Sequence, residues 1–443
     1  MSHYEVIVVG AGPAGIAAAT AAARSGSRVL LLDENPAPGG QIWRVGRSML
    51  KGQSEGEAAK NHALKRLRDS GASFLFGYSV YDAPAAGELR AICESGEAAD
   101  CPVWGEPHAV SLRYEKLILA TGARERFLPF PGWTLPGVFG PGGLQALVKG
   151  GFDVKGKRIV VAGSGPLLLA VAAHLRGYGA EVVCVAEQAP LAQMLPFAIS
   201  LWSHPAKILQ GIQYRAALGS APFHLGCWPV AALADIAGGK LTGVQLTDGR
   251  RTWTEDCDLV ACGYHLVPNT ELASLLGCAI EHGLVKVDEE QRTSVAHVYC
   301  AGEPTGIGGL DAALVQGEIA GLASAGKPTR SLQGRRVAER KFARRLEAAF
   351  RIRPELRSLA QPDTLVCRCE DVTYAALEKR SGWTDAKLQT RCGMGPCQGR
   401  ICSAALETLF GWKQISVRPP LMPVPVSALV YSESQPVNLK ENQ

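Results

Sequence analysis

Several features that define other classes of protein are missing from this sequence of 443 residues. No unbroken apolar run reaches about eighteen residues, so we expect no helix that spans a membrane. The chain starts without the basic segment, apolar segment and cleavage site of a secretory signal. We therefore expect a cytoplasmic location, with peripheral contact at the inner membrane as the alternative. The net charge of +5 is small for this length and argues against nucleic acid as a partner.

General acid–base chemistry also lacks a clear candidate in the sequence. The nine histidines are scattered along the chain, and none lies in a pattern that indicates a general acid or a general base. We therefore assign no catalytic residue. This absence fits a protein that passes electrons better than one that oxidises its own substrate.

Glycine, apolar residues and cysteine are present in quantity. Fifty glycines suit several phosphate-binding loops, and 47% hydrophobic with 20% charged residues is typical of a globular protein. The length suits two or three domains. Thirteen cysteines in a chain expected to be cytosolic indicate metal or redox chemistry rather than disulfides. Five of them cluster between residues 367 and 402.

The first forty residues predict a dinucleotide-binding βαβ unit. An apolar run at 6–9 leads into the sequence GAGPAG, and an alanine-rich helix to about Ser25 and a second apolar run at 29–32 follow. Strand, glycine turn, helix and strand occur in the order that this unit requires. A glycine turn of purely structural importance is therefore the weaker interpretation.

Each glycine of the first loop has a predicted mechanical role. Gly10 permits the tight turn, Gly12 leaves room for a pyrophosphate against the backbone, and Gly15 lets the helix pack close to the strand. The helix N-terminus offers unpaired N–H groups and a partial positive charge to phosphates. Asp33 ends the second strand where a carboxylate binds a ribose hydroxyl, and Glu34 is the next candidate.

A second βαβ unit is predicted from residue 157 onward. The strand at 158–162 leads into the loop GSGPLL, a helix to about Tyr178 and a strand that ends at Glu187. Leu168 occupies the third glycine position, so the helix and the strand cannot approach as closely as in the first unit.

Two interpretations of this second unit stay open. It binds NAD or another adenine nucleotide through Gly163, Gly165 and Glu187, or it is an empty structural remnant. If a nicotinamide cofactor binds, the carboxylate of Glu187 and the lack of a nearby arginine favour NAD over NADP.

The cysteine cluster predicts an iron–sulfur site. Four thiolates at glycine-rich turns suit an iron–sulfur cluster, because glycine lets backbone N–H groups point at sulfur. A helix predicted at 403–410 begins beside them, and its N-terminus offsets negative charge. Zinc is the rival, although the CxC spacing is less usual for structural zinc. Spacing does not settle which four cysteines bind; our choice is Cys367, Cys369, Cys397 and Cys402, with Cys392 as the alternative.

The segments between and after these motifs predict supporting structure. Between residues 330 and 357, Phe342, Leu346 and Phe350 fall on one helical stripe, which we expect to pack on the body while the many basic residues face solvent. The proline-rich stretch at 418–426 excludes a regular helix and a central strand. We expect it to be an extended arm on the body or on a partner subunit.

Taken together, these motifs resemble one known family over nearly the whole chain. The sequence is similar to the FAD-containing subunits of multi-subunit bacterial amine and amino-acid dehydrogenases, which include the B subunit of hydrogen cyanide synthase, the A subunit of opine oxidase and the α subunit of D-hydroxyproline dehydrogenase. The motifs that carry the resemblance are VVGAGPAG, LLDENPAPGGQIWR, ATGARER, AGSGPLLLA, YCAGEPTGIGG, VCRCEDVT and TRCGMGPCQGRIC. The last two are similar to the [2Fe–2S] domain of bacterioferritin-associated ferredoxin, and related sequences can lack the cysteine found here at Cys392.

The resemblance implies an α/β fold with two Rossmann-like dinucleotide-binding domains of the pyridine-nucleotide-disulfide-reductase type, plus a small C-terminal iron–sulfur domain. No CxxC or CxxxxC pair lies near the flavin loop after Gly40, and the second unit has no CxxC, which implies that the chain is not a disulfide reductase. The expected boundaries are 1–125 with 285–330 for a split FAD-binding domain, 126–284 for the second Rossmann-like domain, 331–362 for a basic helical linker, 363–412 for the [2Fe–2S] domain and 413–443 for the proline-rich arm.

The function that the resemblance implies is electron transfer. A partner FAD subunit would oxidise an amine or amino acid of the opine, D-hydroxyproline or glycine type, and a small ferredoxin-like subunit is the second expected partner. This chain would pass the electrons through its own FAD and [2Fe–2S] cluster toward a respiratory acceptor. The alternatives are a self-sufficient NAD(P)H-dependent FAD oxidoreductase and a scaffold that holds its cofactors only for assembly. The expected FAD contacts are Gly10, Gly12, Pro13, Ala14, Gly15, Asp33, Glu34, Gly40, Gln41, Thr121, Gly122, Gly302 and Glu303.

Overall fold

The computed structural model describes residues 2–44, 55–93, 107–235, 239–414 and 416–430. The strands, numbered in chain order, are β1 Ser2–Val9, β2 Val29–Asp33, β3 Ser73–Phe76, β4 Ser79–Asp82, β5 Glu88–Cys93, β6 His108–Leu119, β7 Ala123–Glu125, β8 Val138–Phe139, β9 Arg158–Ser164, β10 Glu181–Glu187, β11 Phe223–Leu225, β12 Trp228–Ala234, β13 Leu241–Thr247, β14 Thr252–Asp256, β15 Leu259–Tyr264, β16 Leu266–Pro268, β17 Ile280–Glu281, β18 Leu284–Val285, β19 Val298–Cys300, β20 Leu365–Cys367 and β21 Val372–Thr373.

Helices connect and cover these strands. In chain order they are α1 Pro13–Arg24, α2 Glu55–Arg68, α3 Pro141–Lys149, α4 Leu167–Gly177, α5 Leu191–Ser200, α6 Pro205–Ala217, α7 Glu271–Leu275, α8 Gly309–Ser324, α9 Gln333–Ala349, α10 Tyr374–Glu378, α11 Trp383–Thr390, α12 Cys402–Phe410 and α13 Val426–Leu429.

The first sheet has the strand order β3-β2-β1-β6-β5-β4, and β19 pairs with β6. Strand β1 is parallel to β2 and β6, and β19 is parallel to β6. Because the carboxyl ends of parallel strands meet at one edge, the segments that follow β1, β2, β6 and β19 converge there. Helix α8 packs tightly on α1, since a Cβ added at Gly317 would lie only 2.1 Å from the Ala14 carbonyl oxygen.

The second sheet repeats this arrangement in the order β11-β10-β9-β15-β8, and its strands are parallel. The antiparallel sheet β12-β13-β14 packs beside it. The strands and helices of both predicted βαβ units are confirmed: α1 ends at Arg24 and α4 at Gly177, one residue before the predicted ends. Leu168 fills the third glycine position and is buried in the core of the second unit.

The chain after α8 forms a helix and then a small separate core. Phe342, Leu346 and Phe350 are buried, which confirms the predicted stripe, although α9 ends one residue before Phe350. Short strands β20 and β21 and helices α10 to α12 then enclose a small core that includes Trp383 and Leu406. This core is separate from the hydrophobic cores of the two Rossmann-like units.

The proline-rich stretch returns to the first sheet. The backbone N–H of Leu421 donates to the carbonyl oxygen of Tyr81 over 2.8 Å, and the hydroxyl of Tyr81 donates to the carbonyl oxygen of Ala428 over 2.8 Å. This part of the arm therefore lies on the body, one of the two predicted positions. In the described ranges, no helix has both the length and the apolar character needed to cross a membrane.

Candidate cofactor sites

The first glycine loop leaves a cradle at the start of α1. A Cβ at Gly10 would come within 2.2 Å of the Ala120 carbonyl oxygen, and a Cβ at Gly15 within 1.7 Å of the Gly10 carbonyl oxygen. Beside Gly12, by contrast, nothing lies within 4 Å of such an atom. The first turn of α1 contains no acidic residue and no side-chain cap, so its N–H groups are available to an anion.

Asp33 braces this loop. Oδ2 of its carboxylate accepts a hydrogen bond from the backbone N–H of Ala11. Oδ1 accepts two hydrogen bonds from Asn35, one from the backbone N–H and one from the side-chain amide, each over 2.7 Å. Oδ2, which accepts only the Ala11 N–H, keeps a second lone pair, so Asp33 remains able to accept a ribose hydroxyl. Burial and the neighbouring Asp33 raise the pKa of Glu34, and the guanidinium groups of Arg400 and Arg44 oppose that rise.

The other residues predicted to contact FAD lie around this cradle. Gly40 approaches Gly12 so closely that a Cβ on Gly40 would lie 2.9 Å from the Gly12 Cα, whereas the next residue, Gln41, is exposed. Thr121 exchanges two hydrogen bonds with Asn269, which fixes the segment after β6. Nothing lies within 4 Å of a Cβ added at Gly122.

Glu303 is a buried carboxyl group beside the N-terminus of α8. One of its oxygens accepts the backbone N–H of Gly309 over 3.0 Å, while Oε2 is buried without a partner among the described residues. Burial raises the pKa of Glu303 to about 7, although the Gly309 and Gly308 N–H groups lower it. Gly302 places this segment against the first loop, because a Cβ on Gly302 would lie 2.9 Å from the Ala14 Cβ. The unpaired Oε2 is available to a hydroxyl of a bound ligand.

The second glycine loop is also held by hydrogen bonds to a carboxylate, that of Glu187. The backbone N–H of Gly165 donates to Glu187 over 2.7 Å, and that of Ala189 donates to the same carboxylate over 2.9 Å. Burial raises the pKa of Glu187 to about 7 in spite of these hydrogen bonds. Gly163 sits against β15, where a Cβ would lie 1.8 Å from the Gly263 carbonyl oxygen.

The chain itself covers this second loop. The hydroxyl of Ser164 donates to the carbonyl oxygen of Phe350 over 3.1 Å. The side-chain amide of Gln188 donates to the carbonyl oxygen of Arg351 over 3.2 Å. The backbone N–H of Arg353 returns a hydrogen bond to Gln188 over 3.2 Å. The segment after α9 therefore lies over the carboxyl ends of β9 and β10, where a nucleotide binds in this fold.

The five C-terminal cysteines form two groups. The Sγ atoms of Cys367, Cys392 and Cys402 lie within 4.8 Å of one another and all three residues are buried. Cys369 and Cys397 form the other group, in which the two thiols are close enough to interact. A cavity of about 340 Å³ lies between the cysteine loops and the second Rossmann-like unit, and Cys367, Cys369, Cys397 and Cys402 line it. Of the five cysteines, all of them described, Cys392 alone does not line this cavity.

The neighbouring thiols and backbone N–H groups favour a thiolate at Cys367. Hydrogen bonds from the Cys392 and Cys402 thiols lower the pKa of Cys367 most, and the backbone N–H groups of Gly393 and Glu370 lower it further, while burial raises it. Helix α12 begins at Cys402 and has no acidic residue in its first turn. Its partial positive charge therefore faces the cysteines.

The far wall of the cavity belongs to the second Rossmann-like unit and is mainly apolar. Phe127, Trp133, Phe139 and Tyr264 are among its residues. The indole N–H of Trp133 donates to the carbonyl oxygen of Leu365 over 2.6 Å and so fixes the C-terminal unit to this wall. Such a wall keeps water away from whatever the thiols hold.

The cysteine loop also reaches the first unit. Nε of Arg124 donates to the carbonyl oxygen of Arg400 over 2.8 Å, and the same guanidinium pairs with Glu271 over 2.7 Å. Arg124 lies two residues after Gly122, and Arg400 two residues before Cys402. The two candidate cofactor sites are therefore neighbours.

Comparison with known proteins decides the class of this fold. The sequence pattern of the family described as pyridine nucleotide-disulphide oxidoreductase matches residues 4–320. The chain belongs to this family. As a member it is an oxidoreductase, and its two Rossmann-like units are those of the family fold.

Two groups of relatives match this chain over nearly its whole length. The chain is 33% identical to the HcnB subunit of hydrogen cyanide synthase from Pseudomonas aeruginosa, over 95% of this chain and 97% of that protein. It is 32% identical to the A subunit of opine oxidase from Rhizobium meliloti, over 96% of this chain and 98% of that protein. These matches confirm the resemblance found from the sequence motifs.

Solved structures show the same fold. L-proline dehydrogenase from P. horikoshii matches 97% of this chain and 80% of its own, with a TM-score of 0.64 and 18% identity. Thioredoxin reductase of T. acidophilum matches 74% of this chain and 99% of its own, with a TM-score of 0.55 and 24% identity. The first match extends through the C-terminal unit, whereas the second has the extent expected of the two Rossmann-like units.

Sequence reasoning missed the residues that join the sites. Arg124 lies in the motif ATGARER and Arg400 in the motif GMGPCQGRIC, but neither motif indicates a role for its arginine. Their contact depends on how two units dock, which no local pattern reveals. The aromatic wall of the cavity was missed for the same reason.

Proposed function

We propose that this chain is the electron-transfer subunit of a multi-subunit dehydrogenase, with FAD on its first Rossmann-like domain and a [2Fe–2S] cluster on its C-terminal cysteines. The observation that carries the proposal is the cavity lined by Cys367, Cys369, Cys397 and Cys402, whose loop contacts the segment after Gly122 through Arg124. FAD accepts two electrons together, and an iron–sulfur cluster passes them on one at a time.

The first domain, residues 1–125 with 285–330, supplies the residues that would hold FAD. The cradle beside Gly12 and the free N–H groups at the start of α1 suit the pyrophosphate. Asp33 suits the adenosine ribose, and the unpaired Oε2 of Glu303 suits a hydroxyl of the ribityl chain. Gly40 lies beside Gly12 and, with the following residue Gln41, would flank the pyrophosphate.

The C-terminal domain, residues 363–412, supplies four thiolates. The thiol distances favour Cys392 as a ligand and the cavity favours Cys369 and Cys397. We give the cavity more weight, because a two-iron cluster needs space between its ligands and three thiols already in contact leave little. Zinc, the rival for the same thiols, needs less space than this cavity provides.

The contacts over the second glycine loop favour a partner subunit over NADH as the electron source. A nucleotide at Gly165 and Glu187 would have to displace the segment that Ser164 and Gln188 hold in place. This supports the interpretation of the second unit as a structural remnant. It weighs against the self-sufficient NAD(P)H-dependent oxidoreductase that the sequence left open.

The relatives indicate the partner and its substrate. They are subunits of hydrogen cyanide synthase and of opine oxidase. We therefore propose that a partner subunit of this chain oxidises a carbon–nitrogen bond of an amine or amino acid. The relay requires no general base on this chain. A small ferredoxin-like subunit is the second proposed partner.

An apolar face supports such an assembly. Helices α5 and α6 expose large apolar side chains, of which Trp202, between the two helices, is 84% exposed. The others on this face are Leu191, Leu195, Ile199, Leu209 and Ile212. The first three recur every fourth residue and so form one stripe of α5. We propose that the substrate-oxidising subunit covers this face.

Reduction by NADH tests the proposal against its rival. The complex is purified from its native host, its cofactors are extracted, and its visible spectrum is followed as NADH or the candidate amine is added without oxygen. We expect FAD, two irons per chain, bleaching by the amine and none by NADH. Rapid bleaching of the isolated chain by NADH would support the self-sufficient reductase. If electron transfer survives the Cys397→Ala substitution while the complex dissociates, the chain is a scaffold that holds its cofactors only for assembly.

A further inference from the structure

A second group of metal-binding side chains lies in the second Rossmann-like unit, away from the C-terminal cysteines. Cys184, His224 and Glu255 bring one ligand atom each to within 4.8 Å of one another. Cys184 is buried, and His224 and Glu255 are half-buried at the surface. A cation could therefore enter from solvent and meet a thiol on the inner side.

Strand pairing explains why these three residues meet. Strands β10 and β11 are parallel, with Ala186 opposite His224. Cys184 lies two residues before Ala186, so its side chain is on the same face of the sheet as that of His224. Glu255 comes from β14, the edge strand of the antiparallel sheet, which packs over this face. The three ligands therefore bridge two sheets.

Trp253 orients the two outer ligands. Its indole N–H donates to Oε1 of Glu255 over 3.0 Å, and its ring meets the His224 imidazole edge-on with centroids 6.0 Å apart. Outer contacts of this kind hold a ligand in position before the metal arrives. They leave the second carboxylate oxygen free to coordinate.

The ligand types select the metal. One thiolate, one imidazole and one carboxylate match Zn²⁺, which accepts sulfur, nitrogen and oxygen in a tetrahedral set. Calcium and magnesium prefer oxygen alone, and an iron–sulfur cluster needs more thiolates. Bonds of about 2.0–2.3 Å place zinc ligands roughly 3.5 Å apart, so small rotations of His224 and Glu255 complete the geometry. The fourth position is open to water.

We propose that Cys184, His224 and Glu255 bind a Zn²⁺ ion that ties the sheet β12-β13-β14 to the second Rossmann sheet. The site is separate from the proposed relay and does not depend on it. Its effect is on stability, because an ion that binds only the folded chain favours the folded state.

Metal analysis of the full chain tests this proposal. The protein is expressed with added zinc, and zinc and iron are counted per chain in wild type, His224→Ala and Glu255→Gln. Cys278→Ala, a change of a buried cysteine that packs in the core of the first sheet, is the matched control. We expect one zinc in wild type and the control, at least a tenfold lower zinc content in His224→Ala and Glu255→Gln, and unchanged iron in all four.

Cobalt substitution and thermal unfolding complete the test. Co²⁺ added to zinc-free protein should give a thiolate-to-metal absorption band that the His224→Ala variant lacks. Zinc should raise the Tm of wild type and of Cys278→Ala, but not that of His224→Ala or Glu255→Gln. Absence of zinc and of this band from folded wild type overturns the proposal. So does zinc that survives His224→Ala but disappears in Cys397→Ser, because that metal would occupy the C-terminal cysteines. Wild-type protein that contains zinc but no iron would contradict the proposed relay and would still support the zinc site.

Discussion

Arg124 and Arg400 join the two candidate cofactor sites, since Nε of Arg124 donates to the Arg400 carbonyl oxygen over 2.8 Å. Arg124 extends from the segment that closes the first Rossmann-like unit, and Arg400 belongs to the loop between Cys397 and Cys402. The same guanidinium pairs with Glu271. This contact holds the loop of the proposed cluster against the segment that follows Gly122.

Loss of one cavity cysteine should remove the cluster alone. Cys397→Ser is expected to lower the iron content at least tenfold and abolish the electron paramagnetic resonance signal of the reduced chain, because a serine hydroxyl is a poor substitute for the thiolate. FAD should remain, measured by absorbance after extraction. Cys392→Ser is the matched control and should retain both irons. Loss of iron in Cys392→Ser with retention in Cys397→Ser would reverse our choice of ligands.

A side chain at the first cradle should exclude FAD. Gly12→Val places two methyl groups in the space beside the loop, where nothing now lies within 4 Å, so we expect folded protein with less than about a tenth of the wild-type flavin. Gly177→Ala, at the end of α4 and equally open, is the control and should keep its flavin. Normal flavin content in Gly12→Val would exclude this loop as the pyrophosphate site.

The first unit could be predicted in detail because its signals are local. The sequence GAGPAG and the acid at Asp33 fix a turn, a helix start and a strand end within about thirty residues. The cavity could be predicted only in part. Spacing placed five cysteines together, but the contrast between Cys369 and Cys392 depends on how the C-terminal unit packs against Phe127 and Trp133.

The covering of the second unit could not be predicted for a related reason. The stripe Phe342, Leu346 and Phe350 indicated a buried face but not the surface that it covers. Hydrogen bonds from Ser164 and Gln188 to backbone about 160–190 residues away in sequence determine that surface. Single-sequence patterns carry little information about such long-range pairs.

Glu303 should make the stability of the flavin-free protein depend on pH. Folding raises its pKa from 4.5 to about 7, so its protonated form is favoured in the folded state. The stabilisation is therefore complete below about pH 4.5 and is lost as the pH rises through about 7. Glu303→Gln should flatten this part of the pH profile and, well above pH 7, raise the free energy of unfolding by about 3 kcal/mol.

Urea unfolding of flavin-free protein between pH 4.5 and pH 8 measures this difference. In the FAD-bound protein, Glu303→Gln should instead be unfavourable, because the amide binds the ribityl chain less well than the carboxyl group. We expect FAD to dissociate from Glu303→Gln more readily than from wild type. Parallel stability profiles for the two proteins would contradict the assignment of a raised pKa to Glu303.

The apolar face of α5 should control assembly. Leu195→Asp combined with Ile199→Asp places two charges on the exposed stripe, and we expect at least a tenfold loss of affinity for the partner subunit, measured by co-purification and analytical ultracentrifugation. Flavin and iron should stay unchanged. Leu388→Asp, an exposed leucine on α11, is the control and should assemble normally. Full assembly of the double variant would show that the partner binds elsewhere.

Light-driven reduction of the isolated chain tests the central claim most directly. Light with EDTA reduces flavin selectively, and samples frozen during illumination report the state of the iron. We expect the resonance of a reduced [2Fe–2S] cluster to appear as the FAD absorbance bleaches, because the Arg124–Arg400 contact holds the two sites together. A fully bleached flavin beside iron that stays oxidised, or a chain with zinc in place of iron, would contradict it.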